Sequence, residues 1–250
     1  NSILVREVRN GERTTRRVKY EPTLFDLVKT REETGYKTLD GKSVLPHHFH
    51  SIKEAKQWVA DRENQDIIYG NTQYPYCWIA DEFPKQVGWD LDQMLMYTID
   101  IEVECENGFP KPEDAAEPML SITIKNFQSG HIHVWGIGEF VTEREDVTYV
   151  QCESEVHLFK EFLAFWENNT PDIVTGWNTE FFDIPYLVNR IRNVFDDDET
   201  KRLSPWKNVF AREVYKMGRT HQSYTLDGIS ALDYLDLYKK FTYTNQERYT

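Results

Sequence analysis

The chain has 250 residues, with 29 basic and 42 acidic side chains and a formal net charge of -13. That length suits one or two domains with a sizeable core, and 14% aromatic content argues against a disordered chain. No apolar run approaches the roughly eighteen residues of a membrane span. No secretory signal is visible, and Cys77, Cys105 and Cys152 form neither a CxxC pair nor an even disulfide set. A reducing cytoplasm and no membrane partner are therefore expected. The net acidity taken alone argues against general nucleic-acid binding, but net charge does not locate charge.

In chain order, residues 1–20 read as a hairpin turning at Asn10-Gly11. Its arms hold Arg6, Arg9, Arg13, Arg16, Arg17 and Lys19 against Glu7 and Glu12, so a basic strip stands in an acidic chain. It is either a solvated two-stranded edge or a surface for phosphates. Residues 51–63 read as a helix capped by Ser51 with Glu54 three positions on. The turn-rich stretch through Gly70, Pro75, Pro84 and Gly88 is expected to connect a small domain, residues 1–92, to a second, 93–250. His47, His48 and His50 cluster beside Pro46 without the spacing of a metal site.

Beyond residue 93 the pattern predicts strands at 96–103, 119–124 and 131–135, with a turn at 128–130 between the last two. A helix over 154–168, a strand over 172–177 and a helix over 183–194 follow, with Asp183 expected as its N-cap. This β-β-β-α-β-α order predicts an α/β domain with a mixed sheet, α+β overall with the N-terminal domain. The acidic run at 196–199 is expected as a solvated loop.

Two constellations carry chemistry. In Tyr97-Thr98-Ile99-Asp100-Ile101-Glu102-Val103 the isoleucines face a core and Asp100 and Glu102 the other way, about 7 Å apart. Paired hard oxygen donors of this kind suit Mg²⁺ or Mn²⁺, and the alternative is a solvated polar edge. In Gly176-Trp177-Asn178-Thr179-Glu180-Phe181-Phe182-Asp183-Ile184-Pro185-Tyr186 a strand ends, Asn178 sits in a short loop and a helix begins at Asp183.

YTIDIE at 97–102 and GWNTEFFDIPY at 176–186 together resemble the first and second exonuclease motifs of family B DNA polymerases, most nearly those of tailed bacteriophages. RVKYEPTLF at 17–25, NGFPKP at 107–112, TKRLSP at 200–205 and LDYLDLYKKF at 232–241 extend the likeness along the chain. The resemblance implies an RNase H-like 3′→5′ proofreading exonuclease in the cytoplasm of an infected bacterium. Two divalent metal ions, Mg²⁺ or Mn²⁺, would be held by Asp100, Glu102 and Asp183, the catalytic residues. Asn178, Phe182 and Trp177 would contact the terminal nucleotides of DNA, and Phe109 would stack on a frayed base. A hairpin over 208–225 would bring Lys216 and Arg219 at its tip to phosphates. Partners implied are the primer 3′ end, single-stranded template and the rest of the polymerase chain; the resemblance also permits a sliding clamp and messenger RNA.

Asp236 is read as a helix cap and Asp233 as structural, each weighed against a metal role. The family's third exonuclease motif, Tyr-x-x-x-Asp, does not occur downstream of the second, and the polymerase motifs do not occur. The expectation is the N-terminal part of a polymerase, from a partial sequence or a split enzyme, inactive as a fragment. A stand-alone nuclease of the same superfamily and a non-catalytic nucleic-acid-binding module are the alternatives.

Overall fold

The computed structural model describes residues 2–9, 11–28, 34–63, 67–86, 90–105, 108–216 and 218–242. The turn residues Asn10 and Met217, the linker residue Gly88, and Asn107 before Phe109 lie outside them. The chain divides into two compact units, Asn1–Trp89 and Asp90–Thr250.

In the first unit, β1 (Ser2–Arg9) pairs antiparallel with β2 (Glu12–Lys19) in full register from Ser2–Lys19 to Arg9–Glu12. Part of its positive charge is met locally: Arg16 bonds Glu7 and lies over Trp78, and Lys19 bonds Glu21. A second sheet orders β4 (Tyr36–Lys37), β5 (Ser43–His48), β3 (Thr23–Leu27) and β6 (Ile68–Tyr69). The helix α1 (Ile52–Ala60) is capped by Ser51, which accepts from the Glu54 amide, while Glu54 accepts from the His50 amide. Of the three histidines, His47 packs on Trp58 and His48 meets Thr23. The turn-rich stretch holds a helix, α2 (Tyr74–Glu82), that the sequence pattern does not announce. Pro75 lies in its first turn, where a missing N–H costs nothing.

The second unit is a six-stranded mixed sheet covered by helices, the α/β architecture expected. Its strands are β7 (Met96–Val103), β8 (Met119–Asn126), β9 (Ile132–Ile137), β10 (Val147–Cys152), β11 (Ile173–Gly176) and, after the hairpin below, β14 (Ser230–Asp233). The order is β10-β9-β8-β7-β11-β14. Antiparallel pairing joins β7, β8 and β9; β10, β11 and β14 add parallel. The short parallel strands β10 and β14 are additions to the predicted set.

Tyr97, Ile99 and Ile101 are buried on one face of β7 with Ile122, Ile124 and Trp135 of its neighbours. Over them lie α3 (Glu155–Asn168), through Leu158, Phe159, Phe162, Leu163 and Trp166, and α4 (Asp183–Val194), through Ile184, Leu187, Val188 and Ile191. Each fully buried apolar side chain of this size contributes about 1.5–3 kcal/mol. The acidic run at 196–199 is not loop: Asp196 caps a short helix, α5 (Asp197–Thr200), whose acids pair with Arg192, Lys201 and Arg202. A separate hairpin joins β12 (Val209–Lys216) to β13 (Arg219–Leu226), paired from Val209–Leu226 to Lys216–Arg219. The last described helix is α6 (Tyr234–Phe241). Among the described residues no helix is long and apolar enough to cross a membrane.

Candidate active site

The strand alternation of β7 places Asp100 and Glu102 on its exposed face, each flanked by neighbours turned to the other side. β11 runs beside β7 only as far as the pair Thr175–Thr98 and then turns away after Gly176. Beyond that point this edge of β7 needs another partner for its backbone groups. Asp183 supplies it: its Oδ1 accepts from the buried Ile101 amide at 3.2 Å. Asp183 is therefore not the expected N-cap. It is the first residue of α4, Phe182 holds the cap position, and no side-chain cap bond forms there. The carboxylate is turned from its own helix to the strand that carries Asp100 and Glu102.

That placement makes Asp183 electrostatically unusual. It is only 4% exposed. Burial foremost, then the charge of Asp100, lift it from 3.8 to about 7; the Ile101 amide opposes this, and Asp233 adds a lesser repulsion. Burial also raises Asp100, although it stands on the exposed face of its strand. Two carboxylates that repel each other across a strand edge form an all-oxygen, anionic donor set of the type that suits Mg²⁺ or Mn²⁺. Glu102 lies two residues along the same strand face. Among the described residues no three acidic, histidine or cysteine side chains converge as a metal centre.

Gly176 permits the close approach of the two motifs. A Cβ there would meet the Ile99 carbonyl oxygen at 2.6 Å and collide with the Thr179 methyl. The carbonyl belongs to the strand and cannot swing away as a flexible side chain could. Gly176→Ala is expected to cost about 1–3 kcal/mol, measured as a lower midpoint in denaturant unfolding at unchanged slope.

The loop after Gly176 is tightly built. Asn178 has φ 63°, a left-handed conformation that asparagine tolerates better than most residues. Its carbonyl accepts from the amides of Phe181 and Phe182. Its own amide and that of Glu180 donate to the two oxygens of Asp233, at 3.1 and 3.0 Å. Asp233 is also the N-cap of α6, accepting from Leu235, whereas Asp236 lies in the first turn and takes Lys216. The capping role expected of Asp236 thus belongs to Asp233. A capping signal is present in the sequence, but two aspartates three apart can each satisfy it.

The aromatic residues fall into two groups. Phe109 is 79% exposed, and its ring lies 5.3 Å from Phe182, which in turn lies 5.8 Å from Tyr186. Trp177, 40% exposed, lies against Tyr234 and Tyr238 of α6. These two tyrosines are not among the residues singled out from the sequence; their i, i+4 spacing on one helix face is the available signal.

Among the described residues of the loop that follows β7 and carries Phe109, backbone bonds join Glu104 to Pro118, and Asp114 and Ala115 to Lys111. Side chains of α4 also bond the loop's carbonyls. Tyr186 donates to Glu117, Asn189 to Pro112, Arg190 to Ala115 and Ala116, and Asn193 to Asp114. Arg190 is itself held by a two-pronged bond to Glu155 of α3 at 2.7 and 2.8 Å.

At the hairpin, Lys216 does not stand free at the tip. Its Nζ bonds both oxygens of Asp236 at 2.6 and 2.7 Å and lies over Phe181. Arg219 is exposed. Arg212 pairs with Glu180 from the same hairpin, a link the sequence does not signal.

The sequence matches the exonuclease domain of DNA polymerase family B over residues 64–250. It is 33% identical to the DNA-directed DNA polymerase of Escherichia phage RB69 over 96% of this chain and 30% of that protein. It is 32% identical to the DNA-directed DNA polymerase of Enterobacteria phage T4, over 98% and 30% respectively. A more distant relative is the DNA polymerase catalytic subunit of Human herpesvirus 7 (strain JI), 31% identical over 48% of this chain and 12% of that protein. The chain therefore spans about 30% of the length of the phage polymerases it matches.

Proposed function

This chain belongs to DNA polymerase family B, through that family's exonuclease domain, and we propose that it forms most of a 3′→5′ proofreading exonuclease within a DNA-directed DNA polymerase. The observation that carries the reading is the convergence of the two motifs: Asp183 is bonded to the strand between Asp100 and Glu102 and feels the charge of Asp100.

The substrate is the 3′ end of DNA, and the reaction is hydrolysis of its terminal phosphodiester. Asp100, Glu102 and Asp183 would hold two divalent ions. When bound, such ions supply an activated water and neutralise the leaving 3′ oxygen. The protein's own contribution is placement. Asp183 is fixed by the Ile101 amide, so its oxygens are aimed before substrate arrives. The exposed Phe109 ring, backed by Phe182, offers a sequence-tolerant stacking face for an unpaired terminal base. Trp177 offers a second such face, and Asn178 lies in the loop that leads from Trp177 to Phe182. Arg219, exposed on the hairpin, would meet backbone phosphate, whereas Lys216 serves first to fasten the hairpin to α6.

The chain alone is proposed to be inactive, because the family's third exonuclease motif, which would supply another metal ligand, does not occur downstream of the second. The missing ligand is assigned to a further exonuclease motif in the rest of the polymerase. The cytoplasm of an infected bacterial cell, a sliding clamp and messenger RNA belong to the same proposal, as location and partners of the whole protein. The test compares two proteins on 5′-labelled single-stranded DNA with Mg²⁺. The complete polymerase is expected to shorten the strand from its 3′ end and the 250-residue chain to leave it intact. Degradation by the chain alone would refute the incomplete-site reading, and no degradation by the complete protein would refute the exonuclease.

A further inference from the structure

We infer that Asp233 is a positioning residue of this site, fastening the loop that carries Asn178 and leads into Asp183. The inference rests on the exonuclease reading above. Asp233 ends β14 and stands opposite Gly176 in the parallel register. Its Oδ1 accepts from the Asn178 amide at 3.1 Å and from the Leu235 amide at 2.9 Å. Its Oδ2 accepts from the Glu180 amide at 3.0 Å. One carboxylate thus joins the start of α6 to both sides of the turn at Asn178.

A helix cap needs only one of these bonds. The Leu235 bond satisfies one free amide of α6, as Ser, Thr, Asn or Asp can do at such a position. The other two bonds go to a segment 53 and 55 residues away in sequence. Bonds to a charged acceptor are stronger than neutral ones, and here they bear on a left-handed residue that would otherwise relax. Other contacts also reach this loop: Arg212 takes the Glu180 side chain, and Lys216 and His221 take the Phe181 ring. They hold side chains, whereas Asp233 holds the backbone.

The two roles separate by substitution. Asp233→Ser keeps a cap for Leu235 but is too short to reach both loop amides. Asp233→Asn keeps one accepting oxygen and replaces the other with a donor facing the Glu180 amide. In the complete polymerase, Asp233→Ser is expected to lower the exonuclease kcat about 10- to 100-fold. Synthesis and the Mg²⁺ concentration for half-maximal exonuclease should be unchanged. In the 250-residue chain, amide hydrogen exchange at Asn178 and Glu180 should accelerate about tenfold or more while Leu235 stays protected. Asp233→Asn should accelerate Glu180 more than Asn178.

Wild-type exonuclease in Asp233→Ser, or unchanged exchange at both loop amides, would overturn the inference. So would a shifted Mg²⁺ requirement, which would make Asp233 a ligand, or an equal loss of synthesis, which would make its role one of general stability. If the unsubstituted polymerase degraded no DNA, the exonuclease reading would fail by itself. The exchange experiment would still decide whether Asp233 holds the loop.

Discussion

Replacing Asp100 and Glu102 together by alanine, in the complete polymerase, is expected to reduce 3′→5′ degradation by about 10³-fold or more and leave synthesis within about twofold. Both side chains lie on the exposed face of β7, and neither packs in the core beneath it. Their removal deletes charge and donor oxygens without opening a cavity, so the fold should survive. The two activities are to be followed in one preparation: loss of a labelled 3′ nucleotide without nucleotides present, and primer extension with them. Proofreading at the normal rate in this variant would refute the site. Parallel loss of both activities would point to a damaged protein and call for a thermal melt.

The second expectation has opposite signs for activity and stability. Asp183→Asn should abolish the exonuclease and yet make the metal-free protein more stable at pH 8. Asp183 titrates near 3.8 when ordinary and at about 7 in the folded chain. Between those values the folded state holds a proton that the unfolded state has lost. Stability therefore falls as pH rises from about 4 to about 7, and the full penalty stands above 7. A shift of this size corresponds to about 4 kcal/mol. Asparagine carries no such penalty, and its carbonyl can still accept from the Ile101 amide. Thermal melts in EDTA should show the variant above the unsubstituted protein at pH 8, with the gap closing toward pH 4. Adding Mg²⁺ to the complete polymerase should raise the melting point of the unsubstituted protein and do less for the variant. A variant less stable at every pH would contradict the assigned environment of Asp183.

Much of this is legible in the sequence because β7 is a strand with one wet face. Strict alternation announces both its buried face and the two carboxylates on the other. The hairpins and the helices α1, α3 and α4 follow from turn chemistry, caps and 3.6-residue periodicity. What escapes a reading along the chain depends on partners. β10 and β14 are short parallel strands whose pairing is set by neighbours outside their own segments. α2 is hidden by Pro75, which looks like a breaker although it sits where a helix accepts it. At Asp183 local rules favour a cap, but its actual partner, Ile101, is 82 residues away. Likewise Asp233 takes the cap expected of Asp236 and also keeps its structural role, through the amides of Asn178 and Glu180 that come beside it only once the chain is folded.

The helix α4 has two clients. Its first residue is a carboxylate of the candidate metal set, and four side chains along its next three turns grip the loop that carries Phe109. The parts that would hydrolyse a strand and the part that would seize its frayed base are thus mounted on one beam. A shift of α4 would move both, so catalytic geometry and base capture are coupled through the position of this helix. Selection for a more or less stringent editor would then act where the coupling is absent: on the exposed Phe109 ring itself, or on the hairpin held by Arg212 and Lys216.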